Sequence, residues 1–101
     1  MSEATARASV LMTHPVGLHA RPSVKFTKLA KTFESRIEIA MDPAGPWIDA
    51  KSIVKVMAAK VPQHARLQLR ADGPDAEAAV AALAGLVERD FDETHPDAAS
   101  G

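Results

Sequence analysis

The chain of 101 residues is long enough for one domain with a modest core, and 47% of its residues are hydrophobic. A net charge of −1 argues against general affinity for nucleic acid or anionic membranes. The sequence has no cysteine, which excludes disulfides, thiolate zinc sites and CxxC redox motifs, and no apolar run approaches the ~20 residues of a membrane span. The N-terminus lacks the basic and apolar segments of a signal peptide, so we expect a cytoplasmic protein.

The first third of the chain predicts a strand, a loop and a helix. Residues 4–12 alternate, imperfectly, between apolar and polar positions and predict a strand. Residues 13–18 contain proline and glycine and predict a loop. A helix follows to about Phe33, starting at Ala20 or only at Pro22, because a proline disfavours helical backbone in the residue before it. The apolar stripe of this helix consists of Phe26, Leu29, Ala30 and Phe33.

The middle of the chain predicts a hairpin and a short helix. Residues 36–41 alternate, and their inward side chains are Ile37, Ile39 and Met41. A turn at 42–45 leads to a shorter return strand at 46–49, which suits the edge of a sheet because Pro46 cannot donate a hydrogen bond. Ser52 then predicts an N-cap for a short helix that is apolar over more of its surface than one core-facing stripe requires.

The last third predicts a strand at 65–71, with Leu67 and Leu69 facing inward, opposite to its polar residues. After a turn at 72–74, it predicts an amphipathic helix to about Phe91. The apolar positions of that helix are Ala78, Val80, Ala82, Leu83, Leu86 and Val87. We expect residues 1–92 to form the domain and the polar residues 93–101 to be a tail or a stub of linker. The order βαββαβα with alternating strands predicts an α+β fold, in which a four-stranded antiparallel sheet has one face under three helices and one face in solvent.

The segment Gly-Leu-His-Ala-Arg-Pro at 17–22 places His19 and Arg21 two residues apart at the predicted helix start. The helix dipole disfavours imidazolium there, which keeps the ring neutral and nucleophilic, and the free N–H groups suit a phosphate. Arg21 adds a planar fork of donors for phosphate oxygens. Taken alone, however, a histidine near a helix start is more often a cap or a surface residue, so the residues leave both interpretations open.

Residues 17–23, with the helix that follows them, strongly resemble the active-site segment of HPr, the histidine phosphocarrier of the bacterial phosphoenolpyruvate:sugar phosphotransferase system. Residues 49–57 resemble the second signature of that family, a short helix led by a serine. The likeness covers about residues 4–92, and the predicted element order matches the open-faced β-sandwich of the family.

The resemblance implies a carrier, not an enzyme with a released product. His19 would be phosphorylated on Nδ1 by enzyme I, which takes its phosphate from phosphoenolpyruvate, and would pass the group to a histidine of an EIIA component in sugar transport. Arg21 corresponds to the arginine beside the phosphohistidine, and Ala20 and Ser23 are the expected phosphate-binding neighbours. We expect a monomer that needs no cofactor, holds no metal, binds no nucleic acid and does not insert into a membrane.

The resemblance also implies a docking surface and a regulatory site. Ser52 occupies the position that a bifunctional HPr kinase/phosphorylase modifies in some bacteria, although capping alone also explains a serine there. Exposed apolar side chains of the short helix would form the docking patch, with lysines at its rim. The expected docking residues are Ile53, Val54, Lys55, Met57, Lys25 and Lys28.

Alternatives remain beside this interpretation. They are a nitrogen-type regulatory HPr, a domain cut from a multiphosphoryl transfer protein, and a domain of the same fold with a silent histidine. Val16, Ser23 and the loop at 60–64, which lacks the glycine of the family, depart from the family pattern.

The remaining candidate residues have simpler interpretations. His14 lies in a proline-containing loop without a following arginine, so we expect a surface residue. A metal site would need His14, His19, His64 and His95, whose spacing does not support ligand geometry. Trp47 is expected to pack on the hairpin.

Overall fold

A computed structural model of the protein describes residues 4–14 and 20–92. The described elements follow the predicted order βαββαβα and end in a short turn at Asp90–Asp92, in which Asp90 and Phe91 adopt left-handed backbone. Their bounds are β1 Ala4–Leu11, α1 Ala20–Ala30, β2 Arg36–Ala40, β3 Ile48–Asp49, α2 Ile53–Ala59, β4 Arg66–Gly73 and α3 Ala76–Glu88. No helix within these residues is long and apolar enough to cross a membrane.

The four strands form one antiparallel sheet in the order β1-β4-β2-β3. The return strand predicted at 46–49 is reduced to the two residues of β3, which lies at an edge of the sheet, as predicted, and pairs with β2. One face of the sheet packs under the helices, and the other carries half-buried and exposed polar side chains. This is the open-faced sandwich that the sequence and the resemblance predict.

The core lies between the helices and one face of the sheet. Alternate strand residues point into it, α1 and α3 each add several buried side chains, and α2 adds Val56. The largest fully buried side chains of the core are Phe26, Phe91, Met12, Ile37, Ile39, Leu67, Leu69 and Leu83. The strand periodicity that predicted inward Ile37, Ile39, Leu67 and Leu69 is therefore confirmed.

Helix α1 starts at Ala20, the earlier of the two predicted positions, and ends at Ala30, three residues before the predicted end at Phe33. The chain tightens there, because the N–H groups of Thr32 and Phe33 donate to carbonyls three residues back, at 3.0 and 3.2 Å. Leu29 and Phe33 still pack against the core, so the predicted stripe holds although the helix is shorter.

Two predictions about inward side chains are wrong. Met41 is 49% exposed, because β2 ends at Ala40 and a turn held by the Gly45 N–H on the Asp42 carbonyl (2.7 Å) begins directly afterwards. In α3, Ala78 is exposed and Ala82 only half-buried. An alanine-rich helix leaves the phase of its apolar face ambiguous. The observed inward face of α3 consists of Ala76, Ala79, Val80, Leu83, Leu86 and Val87.

Candidate functional site

The histidine that carries the predicted chemistry, His19, lies outside the described residues, as do Val16 and the tail at 93–101. Helix α1 begins at Ala20, the residue that follows His19 in the sequence. The first N–H groups of a helix have no partner within it, and they form the positive end of its dipole. Ala20 therefore starts a surface that favours an anion.

The first turn of α1 presents one cation and one buried ring. Arg21 is exposed, whereas Pro22 is buried and lacks the N–H that a helix start does not use. Lys25, one turn along, donates from Nζ to the carbonyl of Phe91 at 2.9 Å. Of the two lysines of α1 that were expected at the rim, Lys25 is therefore bound to the turn at Asp90–Asp92, whereas Lys28 is exposed.

Ser23 is fully buried in the first turn of α1. Its Oγ has no hydrogen-bond partner among the residues that the structure describes. Burying a hydroxyl without a partner costs about 1–3 kcal/mol, so the position is not neutral for folding. The hydroxyl retains the capacity to donate one hydrogen bond at the start of α1.

Ser52 is the N-cap of α2, as predicted. Its backbone is extended, its Oγ accepts the N–H of Lys55 at 3.3 Å, and its carbonyl accepts the N–H of Val56 at 2.9 Å. These two bonds satisfy donors that the start of a helix leaves unpaired. The Ser52 side chain is half-buried, so part of it remains accessible to solvent.

Helix α2 has the excess apolar surface that its sequence predicts. Val56 is fully buried, but Val54 is 73% exposed and Met57 41% exposed. Helix α1 packs against α2 and adds Val24, which is 46% exposed. We call Val24, Val54 and Met57 the helix patch. Of the other expected docking residues, Ile53 is half-buried and Lys55 is exposed.

The prediction that His14 is a surface residue is wrong. Its side chain is 3% exposed, and its ring meets that of Phe91 edge-on, with centroids 5.6 Å apart. Phe91 is itself fully buried and comes from the other end of the chain. Thr13 next to it donates to Asp90 Oδ1 at 2.6 Å. The turn at Asp90–Asp92 therefore holds Thr13 and His14, the last described residues before His19 in the sequence.

Phe91 and Asp90 are the residues near the site that sequence reasoning missed. Their contacts with Thr13 and His14 each span 77 residues, and no local pattern in the sequence predicts them. The described residues contain no cluster of three or more histidine, cysteine, aspartate or glutamate side chains suited to a metal ion. His19 and His95 of the candidate metal set lie outside the described residues.

A family model described as "PTS HPr component phosphorylation site" matches residues 6–89. The phosphocarrier protein HPr of Cupriavidus necator is 40% identical over 78 residues, which cover 77% of this chain and 85% of that protein. The phosphocarrier protein NPr of Escherichia coli is 29% identical over 89 residues, which cover 88% of this chain and 98% of that protein.

The multiphosphoryl transfer protein of Vibrio cholerae is 48% identical over 68 residues, which cover 66% of this chain but only 17% of that protein. Among solved structures, HPr-C-His from Thermoanaerobacter tengcongensis superposes with a TM-score of 0.80 at 34% identity, covering 87% of this chain and 97% of that one. Its fold is the same open-faced sandwich. The chain belongs to the HPr family and is an HPr-type phosphocarrier of the phosphotransferase system.

Proposed function

We propose that His19 is the phosphoryl acceptor, that it receives its phosphoryl group from enzyme I, and that it passes the group to an EIIA component. The observation that carries this proposal is the start of α1 at Ala20, directly after His19 in the sequence. That position combines the positive end of a helix with the exposed cation of Arg21.

The chemistry at His19 is a reversible group transfer. Neutral imidazole attacks phosphorus through Nδ1 while Nε2 keeps its proton; the bond from phosphorus to Nδ1 forms as the bond to the donor atom of enzyme I breaks. The second transfer runs the same step toward the EIIA histidine, and His19 returns to its free form. The protein is thus a carrier and releases no product of its own.

The neighbours of His19 stabilise the phosphate without trapping it. Arg21 supplies a planar fork of donors, and the N–H of Ala20 belongs to the unpaired donors of the helix start. Ser23 supplies a hydroxyl donor, and a phosphate oxygen would relieve the cost of burying it unpaired. Ala20 and Arg21 are exposed, so their interactions with the phosphate lie close to solvent and the phosphoryl group can leave again.

Both partners dock on the same surface in turn. The helix patch offers Val54 and Met57 to an apolar partner surface, and half-buried Ile53 adds to it. Lys28 and Lys55 are the rim charges. A small shared surface favours modest affinity and fast exchange, which a carrier requires. Acidic rims on the partners would complete the electrostatic match.

Ser52 is proposed as the regulatory position for an HPr kinase/phosphorylase. Its half-buried hydroxyl stands at the start of α2, one turn from the helix patch. A phosphate there would add nearly two negative charges beside a surface that receives acidic partners. Modification would therefore weaken docking and slow phosphoryl transfer.

A regulatory role for the same phosphohistidine is the second candidate, because E. coli NPr is similar to the chain over nearly its whole length. The similarity to part of a multiphosphoryl transfer protein adds a third, in which residues 1–92 are one domain of a longer protein. Replacing His19 with alanine in cells distinguishes the roles. A sugar carrier loses uptake, whereas a signalling protein shows altered regulation with uptake intact.

A reconstituted relay tests the carrier function. Phosphoenolpyruvate, enzyme I, this protein and an EIIA component should together produce phosphorylated EIIA, and omitting this protein should stop it. We propose that the protein acts in the cytoplasm as a monomer. Phosphorylated EIIA that forms equally well without the protein, or with its His19→Ala variant, would refute the carrier function.

A further inference from the structure

The solvent face of the sheet, opposite the helices, is rich in arginine. Its residues alternate with the core residues along each strand, so that Arg7 on β1 pairs directly with Arg70 on β4. Arg36 on β2 pairs with Asp72 in the next row, and Arg66 lies at the far end of β4. All four basic residues on this face are arginine, whereas α1 and α2 carry mostly lysine.

Two like charges stand directly opposite each other on this face. Such a pair destabilises a sheet, yet only one of its members is neutralised here. Arg70 donates from Nε and Nη2 to Glu38 Oε1, at 2.8 and 2.7 Å. Within residues 4–14 and 20–92, Arg7 and Arg36 make no ion pair. Their charge is available to an incoming anion.

Trp47, the only tryptophan of the chain, joins these arginines. Its half-buried ring meets arginines of β4 and β1: the Arg70 guanidinium lies 4.0 Å from its ring centroid and that of Arg7 5.9 Å. Two shallow depressions meet at Arg7, one lined with Arg36 and the other with Trp47. Tryptophan and arginine are the residues most enriched where protein interfaces concentrate their binding energy.

We propose that this face is a second binding surface, and that it binds an acidic polypeptide segment in an extended conformation. The cations extend along the face: Arg7 and Arg36 line one depression, whereas Arg66 lies at the far end of β4. Residues two apart in a strand are separated by about 6.8 Å, so a single phosphate cannot reach both ends of this face, whereas carboxylates along an extended peptide can meet all three arginines in the bidentate geometry that arginine favours.

The surface lies on the opposite side of the sheet from the helices, so a partner there leaves the helix patch uncovered. The inference is therefore independent of the proposed phosphoryl transfer. It would allow an acidic partner to be held while enzyme I or EIIA docks on the helices.

A titration followed by NMR tests the proposal. The ¹⁵N-labelled protein is titrated at low ionic strength with a ten-residue peptide of alternating glutamate and glycine. Saturable shifts are expected at the Trp47 indole and at the amides of β1 and β4. The Arg7→Gln/Arg36→Gln variant should bind about tenfold more weakly. The matched double charge change Lys31→Gln/Lys60→Gln, on two exposed residues that directly follow α1 and α2, should leave the affinity unchanged, and each variant's own spectrum reports its folding.

Three results would overturn the proposal. One is an absence of shifts at millimolar peptide, and another is shifts confined to α1 and α2. The third is equal or tighter binding of a ten-nucleotide single-stranded DNA at the same sites, which would indicate a surface for nucleic acid.

Discussion

Lys60 and His64 adopt left-handed backbone conformations in the loop between α2 and β4, with φ values of 54° and 76°. Lys60 is the C-cap of α2, and the His64 N–H donates to the Met12 carbonyl at 2.6 Å. A residue with a Cβ pays about 1–2 kcal/mol for such backbone. The loop at 60–64 lacks the glycine of the family, yet Lys60 and His64 adopt the left-handed conformations that favour glycine. These two residues therefore raise the free energy of the folded loop.

Replacing His64 with glycine should stabilise the protein by about 0.5–1 kcal/mol. The relief of backbone strain exceeds the greater freedom that glycine gives to the unfolded chain. Chemical denaturation measures the free energy of unfolding. The control Ala58→Gly, at an exposed position inside α2, should instead cost about 1 kcal/mol. Equal destabilisation by both changes would contradict the strain at His64.

Ser52 offers a matched pair of substitutions that separates capping from charge. Aspartate and asparagine both cap helices as well as serine does, but only aspartate adds a charge beside the helix patch. Ser52→Asp should therefore slow phosphorylation by enzyme I several-fold, whereas Ser52→Asn should not, with both variants equally stable. Steady-state kinetics with enzyme I measures the rates. Equal rates for the two variants would remove the electrostatic basis for regulation.

At the scale of single elements, the helix patch is the surface on which the proposed docking of partners depends. Val54→Ser should raise the KM for enzyme I about tenfold, because covering a valine contributes about 1.5 kcal/mol. Stability should change little, since Val54 is already 73% exposed. The control is Met41→Ser, which removes an apolar side chain of comparable exposure (49%) from the hairpin. An equal effect of both substitutions would show that Val54 has no special part in docking.

Local sequence signals predicted the elements well because the signal for each helix or strand comes from residues within that element or next to it. Ser52 caps α2 as its type and position indicate, and strict alternation placed Leu67 and Leu69 inward. Failures occurred where the decisive contact is distant. His14 is buried by Phe91 from the other end of the chain, and the inward face of α3 is set by packing that its many alanines do not encode.

The candidate site follows the same division. The sequence predicted that α1 starts close to Arg21, because a proline in the first turn and the residues around it mark a helix start. The tie between Lys25 and the Phe91 carbonyl, and the pairing of Arg7 with Arg70, depend on chain segments that only the fold brings together.

At the scale of the whole molecule, Asp75 joins α3 to the segment before β2. Its carboxylate accepts hydrogen bonds from the Ser35 hydroxyl and from the N–H groups of Glu34 and Ser35, the latter two at 2.9 Å. The Ser35 hydroxyl and then the Glu34 N–H hold the pKa of Asp75 below its usual 3.8. The cross-link therefore favours the ionised form in the folded protein.

A lowered folded-state pKa stabilises the protein fully above 3.8, and this stabilisation is lost as the pH falls through the folded-state pKa. Asp75→Asn should thus lower Tm at about pH 6, and the gap to the unchanged protein should close toward about pH 2.5. Thermal denaturation across this range measures it, with Glu77→Gln as the control for losing a carboxylate on α3. A gap that stays constant with pH would contradict the proposed linkage.

The central claim for the molecule is that His19 carries the phosphoryl group. The most direct measurement incubates the protein with enzyme I and ³²P-labelled phosphoenolpyruvate, then maps the label and its stability. We predict acid-labile, base-stable phosphate on His19, none on His19→Ala, and unchanged labelling of the control His64→Gly. Label that persists in His19→Ala, or that never forms on the unchanged protein, would contradict the claim.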